Sequence, residues 1–224
     1  MGSSPPLDGR LKGVIFDLDG TLTDTLPVAF SAFRAAVARF SDRSFTDEEL
    51  IAFFGPAEDG ILQRLLPQDW EACLQCYLEE YAKRHVICSA PFPGMQEALD
   101  LLRSCALPLA IVTGKTPAAV EITLRHVNIR DYFEAVETGS AAGGTKPAAI
   151  RKLAAKWNLD PSQVAYVGDA RSDMEAAKDV GAVAVGAGWA ATATVQSLRD
   201  AGADVVFPTV DEFTAWLRTL CKPG

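Results

Sequence analysis

Four aspartates stand in two close pairs, Asp17 with Asp19 and Asp169 with Asp173, and each pair follows a short apolar run. Carboxylates this close repel one another, so one stays protonated unless a cation neutralises them. Clusters of oxygen donors suit Mg²⁺, which keeps several waters and takes only one or two protein carboxylates. A single Asp in such a place also reads as a turn former or a helix N-cap, and Asp173 alone fits that description equally well. A third apolar run ends in Thr113-Gly114, which adds a small, polar terminus of the same kind.

The elements that must position these groups follow from the apolar pattern. Residues 14–16, 109–112 and 164–167 are short, β-prone runs that lead into Asp17/Asp19, Thr113/Gly114 and Gly168/Asp169. Runs at 182–185 and 203–207 complete the expected sheet, and helical patterns lie at 94–104, 116–127, 146–157 and 172–180. Strands alternating with helices of this length imply βαβ units and an α/β, doubly wound parallel sheet. Ligands bind such sheets beyond the carboxyl ends of the strands, where the three polar termini would converge. Residues 23–90 break the alternation with four helical patterns, at 27–40, 47–54, 58–66 and 68–85. Leu74, Tyr77, Leu78 and Tyr81 form an amphipathic stripe in the last. The expected division is a core of residues 1–22 and 91–224 with an inserted helical cap of residues 23–90 over the strand ends.

With those elements in place, Phe16-Asp17-Leu18-Asp19-Gly20-Thr21-Leu22 closely resembles the first motif of the haloacid dehalogenase superfamily. Val112-Thr113-Gly114 resembles its second motif, Lys146-Pro147 its third, and Gly168-Asp169 with Asp173 its fourth, all in the family's order. The insert is similar to the cap of the phosphoglycolate phosphatase-like branch. The resemblance implies a Rossmann-like core and a Mg²⁺-dependent phosphatase acting on a small phosphorylated metabolite, with a phosphoglycolate-like ester the best single guess. It implies Asp17 as nucleophile forming an aspartyl-phosphate, and Asp19 as the acid and base serving leaving group and water. Thr113, Gly114 and Lys146 would bind the phosphoryl group. Asp17, Asp19 through its backbone carbonyl, and Asp169 would hold Mg²⁺, with Asp173 in or next to the metal shell.

Asp19 argues for ester chemistry over the dehalogenase and phosphonate-cleaving branches, which lack an Asp there. A sugar phosphomutase of the β-phosphoglucomutase type would keep Asp19. However, residues 24–28 lack the His and residues 55–59 the Arg that such mutases carry. A non-catalytic binding or regulatory role would not need the complete motif set. The loop 139–145 departs from the acidic pair that many relatives place before Lys146, which puts its geometry in question. Cap residues 54–64 are expected to face the site. Lys115 either reaches the substrate or is a solvated loop cation, and Arg64 either anchors a substrate carboxylate or makes a surface salt bridge.

Composition bounds the rest. Among 224 residues, 49% are hydrophobic, and 21 basic against 29 acidic residues give a net charge of −8. That balance supports a packed core and argues against nucleic-acid binding, which needs a clustered basic surface. No apolar run approaches the roughly 18 residues that span a bilayer, and the opening residues lack a signal-like apolar stretch. Their resemblance to a myristoylation start fails at Pro6. A cytoplasmic protein, monomeric or homodimeric, with reduced cysteines is expected. Cys73, Cys76, His85 and Cys88 invite a zinc reading, but a C-x-x-C inside an amphipathic helix fits small buried thiols better. His126 reads as a cation at a helix C-terminus.

Overall fold

A computed structural model describes residues 11–220. The myristoylation-like start lies outside them. Strand β1 (Gly13–Phe16) has neither polar side chains nor solvent access, as expected of a central parallel strand covered on both faces. Its side chains alternate. Val14 and Phe16 enter one apolar cluster, and Ile15 enters the other. The next strands follow the same period of two: Leu109 and Ile111 on the first face of β2 (Leu109–Val112), Ala110 and Val112 on the second. Gly13 is held small by the Trp157 ring, which an added Cβ would approach to 2.9 Å.

The sheet is completed by β3 (Ala135–Glu137), β4 (Val164–Gly168), β5 (Val183–Ala187) and β6 (Val205–Phe207). Its order is β3-β2-β1-β4-β5-β6, and every pairing is parallel. The chain therefore winds outward from β1 through β2 to β3, then returns to lay β4 on the other side of β1. This reversal is the topological switch point, where α/β sheets open a crevice at the strand ends. The doubly wound α/β expectation is met.

Four helices follow β1: α1 (Leu26–Val37), α2 (Asp47–Ala52), α3 (Glu58–Leu65) and α4 (Trp70–Arg84). They enclose a third apolar cluster around Phe33, Leu62, Cys73, Tyr77 and Tyr81, joined from the core side by Ala119. The stripe on α4 explains the burial: Tyr77 and Tyr81 point inward, flanked by the partly buried Leu74 and Leu78. The core helices are α5 (Met95–Ser104), α6 (Pro117–Val127), α7 (Lys146–Lys156), α8 (Arg171–Val180), α9 (Val195–Asp200) and α10 (Val210–Leu220).

Three elements lie beyond the sequence expectations. β3 is a three-residue, half-buried edge strand, too short to show a period. α9 and α10 are not among the helical patterns expected from the sequence, although α10 closes the first core cluster with Phe213, Trp216 and Leu217. Cys73, Cys76 and Cys88 are buried free thiols, as expected. Cys105 departs from the expectation of reduced cysteines, being disulfide-bonded. Among the described residues, no helix is long and apolar enough to cross a membrane.

Candidate active site

Asp17 leaves the end of β1 beside β4, fixed by its own N–H, which donates to Val167 O at 2.9 Å. Asp169 follows β4 directly, and its Oδ1 accepts the Thr21 hydroxyl at 3.1 Å. The chain between Asp17 and Thr21 must therefore pass close to Asp169, and Gly20 makes this possible. Its φ is +76°, and a Cβ there would lie 2.3 Å from Asp169 Oδ2. Asp17, Asp169 and Asp173 each bring a carboxylate oxygen within 4.8 Å of the others.

Lys146 is the cation among them. It opens α7, ahead of Pro147, and its Nζ donates to Asp173 Oδ1 at 2.6 Å and stands 3.3 Å from Asp17 Oδ1. The latter contact is outside hydrogen-bonding alignment, so Asp17 Oδ1 is buried without a hydrogen-bond partner among the described residues. Asp173 is fully buried and already committed: besides Lys146, it accepts the Ala170 N–H at 3.0 Å and lies 3.2 Å from the Tyr166 hydroxyl. Its position tethers Lys146.

Burial dominates the electrostatics. It pushes the Asp17 carboxyl up to about 7, with Lys146 opposing and the Asp173 and Asp19 charges adding to the rise. Burial likewise holds Asp169 well above the usual carboxylate range, helped by Asp173 and Asp17. For Lys146 burial acts to lower the value, but Asp17 and Asp173 outweigh it, and the ammonium is held well above its ordinary value. One lysine does not neutralise three gathered carboxylates. The unsatisfied Asp17 oxygen, the raised carboxyls and the all-oxygen donor set fit a divalent cation such as Mg²⁺.

Thr113 directly follows β2 and is buried, with its N–H donating to Glu137 O at 3.0 Å. Asp19 turns the other way. Its Oδ1 accepts the Thr25 hydroxyl and its Oδ2 lies 3.5 Å from Lys115 Nζ. Lys115 is 7% exposed, which overturns the solvated-cation alternative. Its ammonium is also 3.3 Å from Glu58 Oε1 and 4.4 Å from the centre of the Tyr81 ring. Burial acts to lower the Lys115 value, yet Asp19, the two tyrosines and Glu58 together hold it well above normal.

Asp17, Asp19, Thr113, Gly114, Lys146 and Asp169 line one cleft of about 680 Å³ between the strand ends and the helical insert. Asp173 sits just behind it, holding Lys146. Of residues 54–64, the segment 54–58 and Ile61 line the cleft, whereas Arg64 is exposed and outside it. The loop 139–145 packs on the insert: Ser140 O accepts the Ala57 N–H at 2.9 Å, and Ala141 O would meet a Cβ on Gly60 at 2.1 Å. Sequence reading placed Glu58 among the residues facing the site without giving it a role, and missed Thr25 and Tyr166. No local pattern marks them, since each matters through a partner distant in the chain or on a neighbouring loop.

The chain is similar to known proteins over most of its length. A phosphoglycolate phosphatase of Neisseria meningitidis is 28% identical over 188 residues, covering 79% of this chain and 80% of that protein. A protein of Dickeya dadantii named "Probable phosphatase IndB" is 34% identical over 219 residues, covering 93% and 94%. A solved haloacid dehalogenase-like hydrolase of Streptococcus pneumoniae superposes with a TM-score of 0.76 at 23% identity, over 92% of this chain and 98% of that one. The family model for haloacid dehalogenase-like hydrolases matches residues 14–187, from the first strand to the end of the fifth. The chain belongs to the haloacid dehalogenase-like hydrolase family.

Proposed function

We propose that the protein is a Mg²⁺-assisted phosphomonoesterase that hydrolyses a small phosphorylated metabolite through an aspartyl-phosphate on Asp17. The single observation that carries this is the Asp17 carboxylate: it stands at the cleft, one oxygen unsatisfied, among Lys146, Thr113 and Asp169. The names of the relatives, phosphoglycolate phosphatase and pyrophosphatase, support phosphate ester or anhydride substrates.

An Asp17 oxygen attacks phosphorus in line, and the bond from phosphorus to the leaving oxygen breaks. Asp19 gives that oxygen a proton, then takes one from the water that hydrolyses the aspartyl-phosphate. Lys146, fixed by Asp173, offsets charge on the phosphoryl group, while the Thr113 hydroxyl and the Gly114 backbone bind its oxygens. Asp17, the Asp19 backbone carbonyl and Asp169 would hold Mg²⁺, with Asp173 beside them. Bound there, the ion supplies positive charge to the phosphoryl oxygens. Residues 23–90 serve as a cap that shuts out bulk water during attack and reopens for product release.

The test is phosphate release from a panel of esters, including a generic aryl phosphate, with Mg²⁺ and with EDTA. Release that needs Mg²⁺, vanishes in Asp17→Asn and passes through a hydroxylamine-labile phosphoenzyme is expected. No release from any ester, or an Asp17→Asn variant as active as the parent, overturns the proposal.

A further inference from the structure

The cleft has two chemically different walls. The core wall carries the carboxylates, Thr113 and Lys146. The wall from the insert is built of Phe30, Phe33, Ile51, Phe53, Phe54 and Ile61. Among the described residues, this wall brings no Lys, Arg or His to the cleft, and its charged side chain, Glu58, is negative.

The two lysines lining the cleft are both engaged. Lys146 is committed to Asp17 and Asp173, and Lys115 to Asp19 and Glu58. Arg171 belongs to the core rim and not to the insert wall, and is solvent-exposed, with Glu175 at 3.3 Å. A carboxylate on the leaving group would lose its water against aromatic rings and gain no counter-charge from the insert wall, which is costly.

Two of the apolar side chains are open to solvent in this state. Ile51 is 43% exposed and Phe54 51% exposed, although both line the cleft, and the Phe54 ring lies 5.9 Å from that of Phe30. Large apolar groups left open inside a concave site are the features a ligand covers.

We infer that the substrate's leaving group is uncharged and apolar, an aromatic or bulky hydrocarbon alcohol seated between Phe30, Phe54 and Ile51, and not a carboxylate-bearing group such as glycolate. The assignment rests on the phosphomonoesterase reading and fixes the substrate class of that same site. Specificity then comes from hydrophobic burial on the insert, together with rejection of anionic groups by Glu58 and by the lack of a cation on the insert wall.

The experiment compares 2-phenylethyl phosphate, glycerol phosphate and 2-phosphoglycolate with the full chain and Mg²⁺. All three are alkyl esters, so a gain for the first does not reflect an aryl leaving group. The expected kcat/KM for 2-phenylethyl phosphate exceeds that for 2-phosphoglycolate by at least roughly tenfold. Phe54→Ala should raise KM for 2-phenylethyl phosphate about tenfold more than for glycerol phosphate. Turnover with 2-phosphoglycolate ahead, or a Phe54→Ala effect equal on all esters, overturns the assignment and leaves the phosphatase reading standing. Hydrolysis of no ester, generic aryl phosphate included, overturns both.

Discussion

Glu58 Oε2 accepts the backbone N–H of Thr116 at 2.7 Å, so a carboxylate on the insert caps the first turn of α6 in the core. Its other oxygen faces Lys115 and the Tyr77 hydroxyl. One side chain thus ties the insert to the strand end that carries Thr113, and supplies the negative charge a helix N-terminus favours.

Removing that carboxylate leaves a buried donor and a buried ammonium short of partners. Glu58→Ala should cost about 1–3 kcal/mol of stability. Glu58→Gln keeps an acceptor for Thr116 and should recover much of the loss. Urea unfolding of both variants checks this; equal losses would show that the acceptor is not what matters.

Thr25 orients Asp19. Its hydroxyl donates to Asp19 Oδ1, and Lys115 stands on the other oxygen. Thr25→Val keeps the shape and removes the donor, so kcat should fall about tenfold with KM little changed, because a proton-transfer group has lost its alignment. Thr25→Ser should retain most activity. Steady-state kinetics on one ester decides it.

Gly20 keeps Asp169 in place. Gly20→Ala puts a Cβ where Asp169 Oδ2 now sits, in a backbone conformation that alanine also disfavours. The variant should lose at least roughly tenfold in Mg²⁺ affinity, seen as a smaller rise in Tm on adding the ion.

The parent's own Mg²⁺ response should depend on pH. With Asp17 raised from 3.8 to about 7, the metal-free native state binds more protons than the unfolded chain between those values. Metal-free stability therefore falls as pH rises across that window. A bound ion favours the ionised carboxylate, so the rise in Tm should be larger at pH 8 than at pH 5. Equal shifts at both would argue against Asp17 as a ligand.

His85 gives an opposite pH dependence away from the cleft. It is fully buried and stacked on His126 with ring centres 4.7 Å apart, and Nδ1 has no hydrogen-bond partner among the described residues. Burial lowers its basicity, and the facing His126 and nearby Lys115 lower it further. Below pH 6.5 the unfolded chain takes up a proton that the folded chain resists, so stability is lost as pH falls. Going from pH 7.5 to pH 5.5 should therefore change the unfolding free energy less unfavourably in His85→Phe than in the parent.

The sequence by itself determined the sheet core and the candidate catalytic set. Runs such as residues 14–16 and 109–112 are apolar on both faces, which only a covered parallel strand accommodates, and the polar residues directly after them are thereby set at the strand ends. The edge strand β3, at three residues, was too short to carry a period. The fate of the charges was decided only by the tertiary structure. Lys115 and Arg64 are both cations with no local pattern to separate them, yet one is buried between Asp19 and Glu58 and the other is exposed. What separates them is which distant carboxylates and rings the folded chain brings within a few ångströms, and Coulomb interaction and desolvation depend on that distance and burial rather than on position along the chain. The apolar wall of the cleft has the same origin, since Phe30 and Phe54 meet only once α1 and the segment after α2 have packed together.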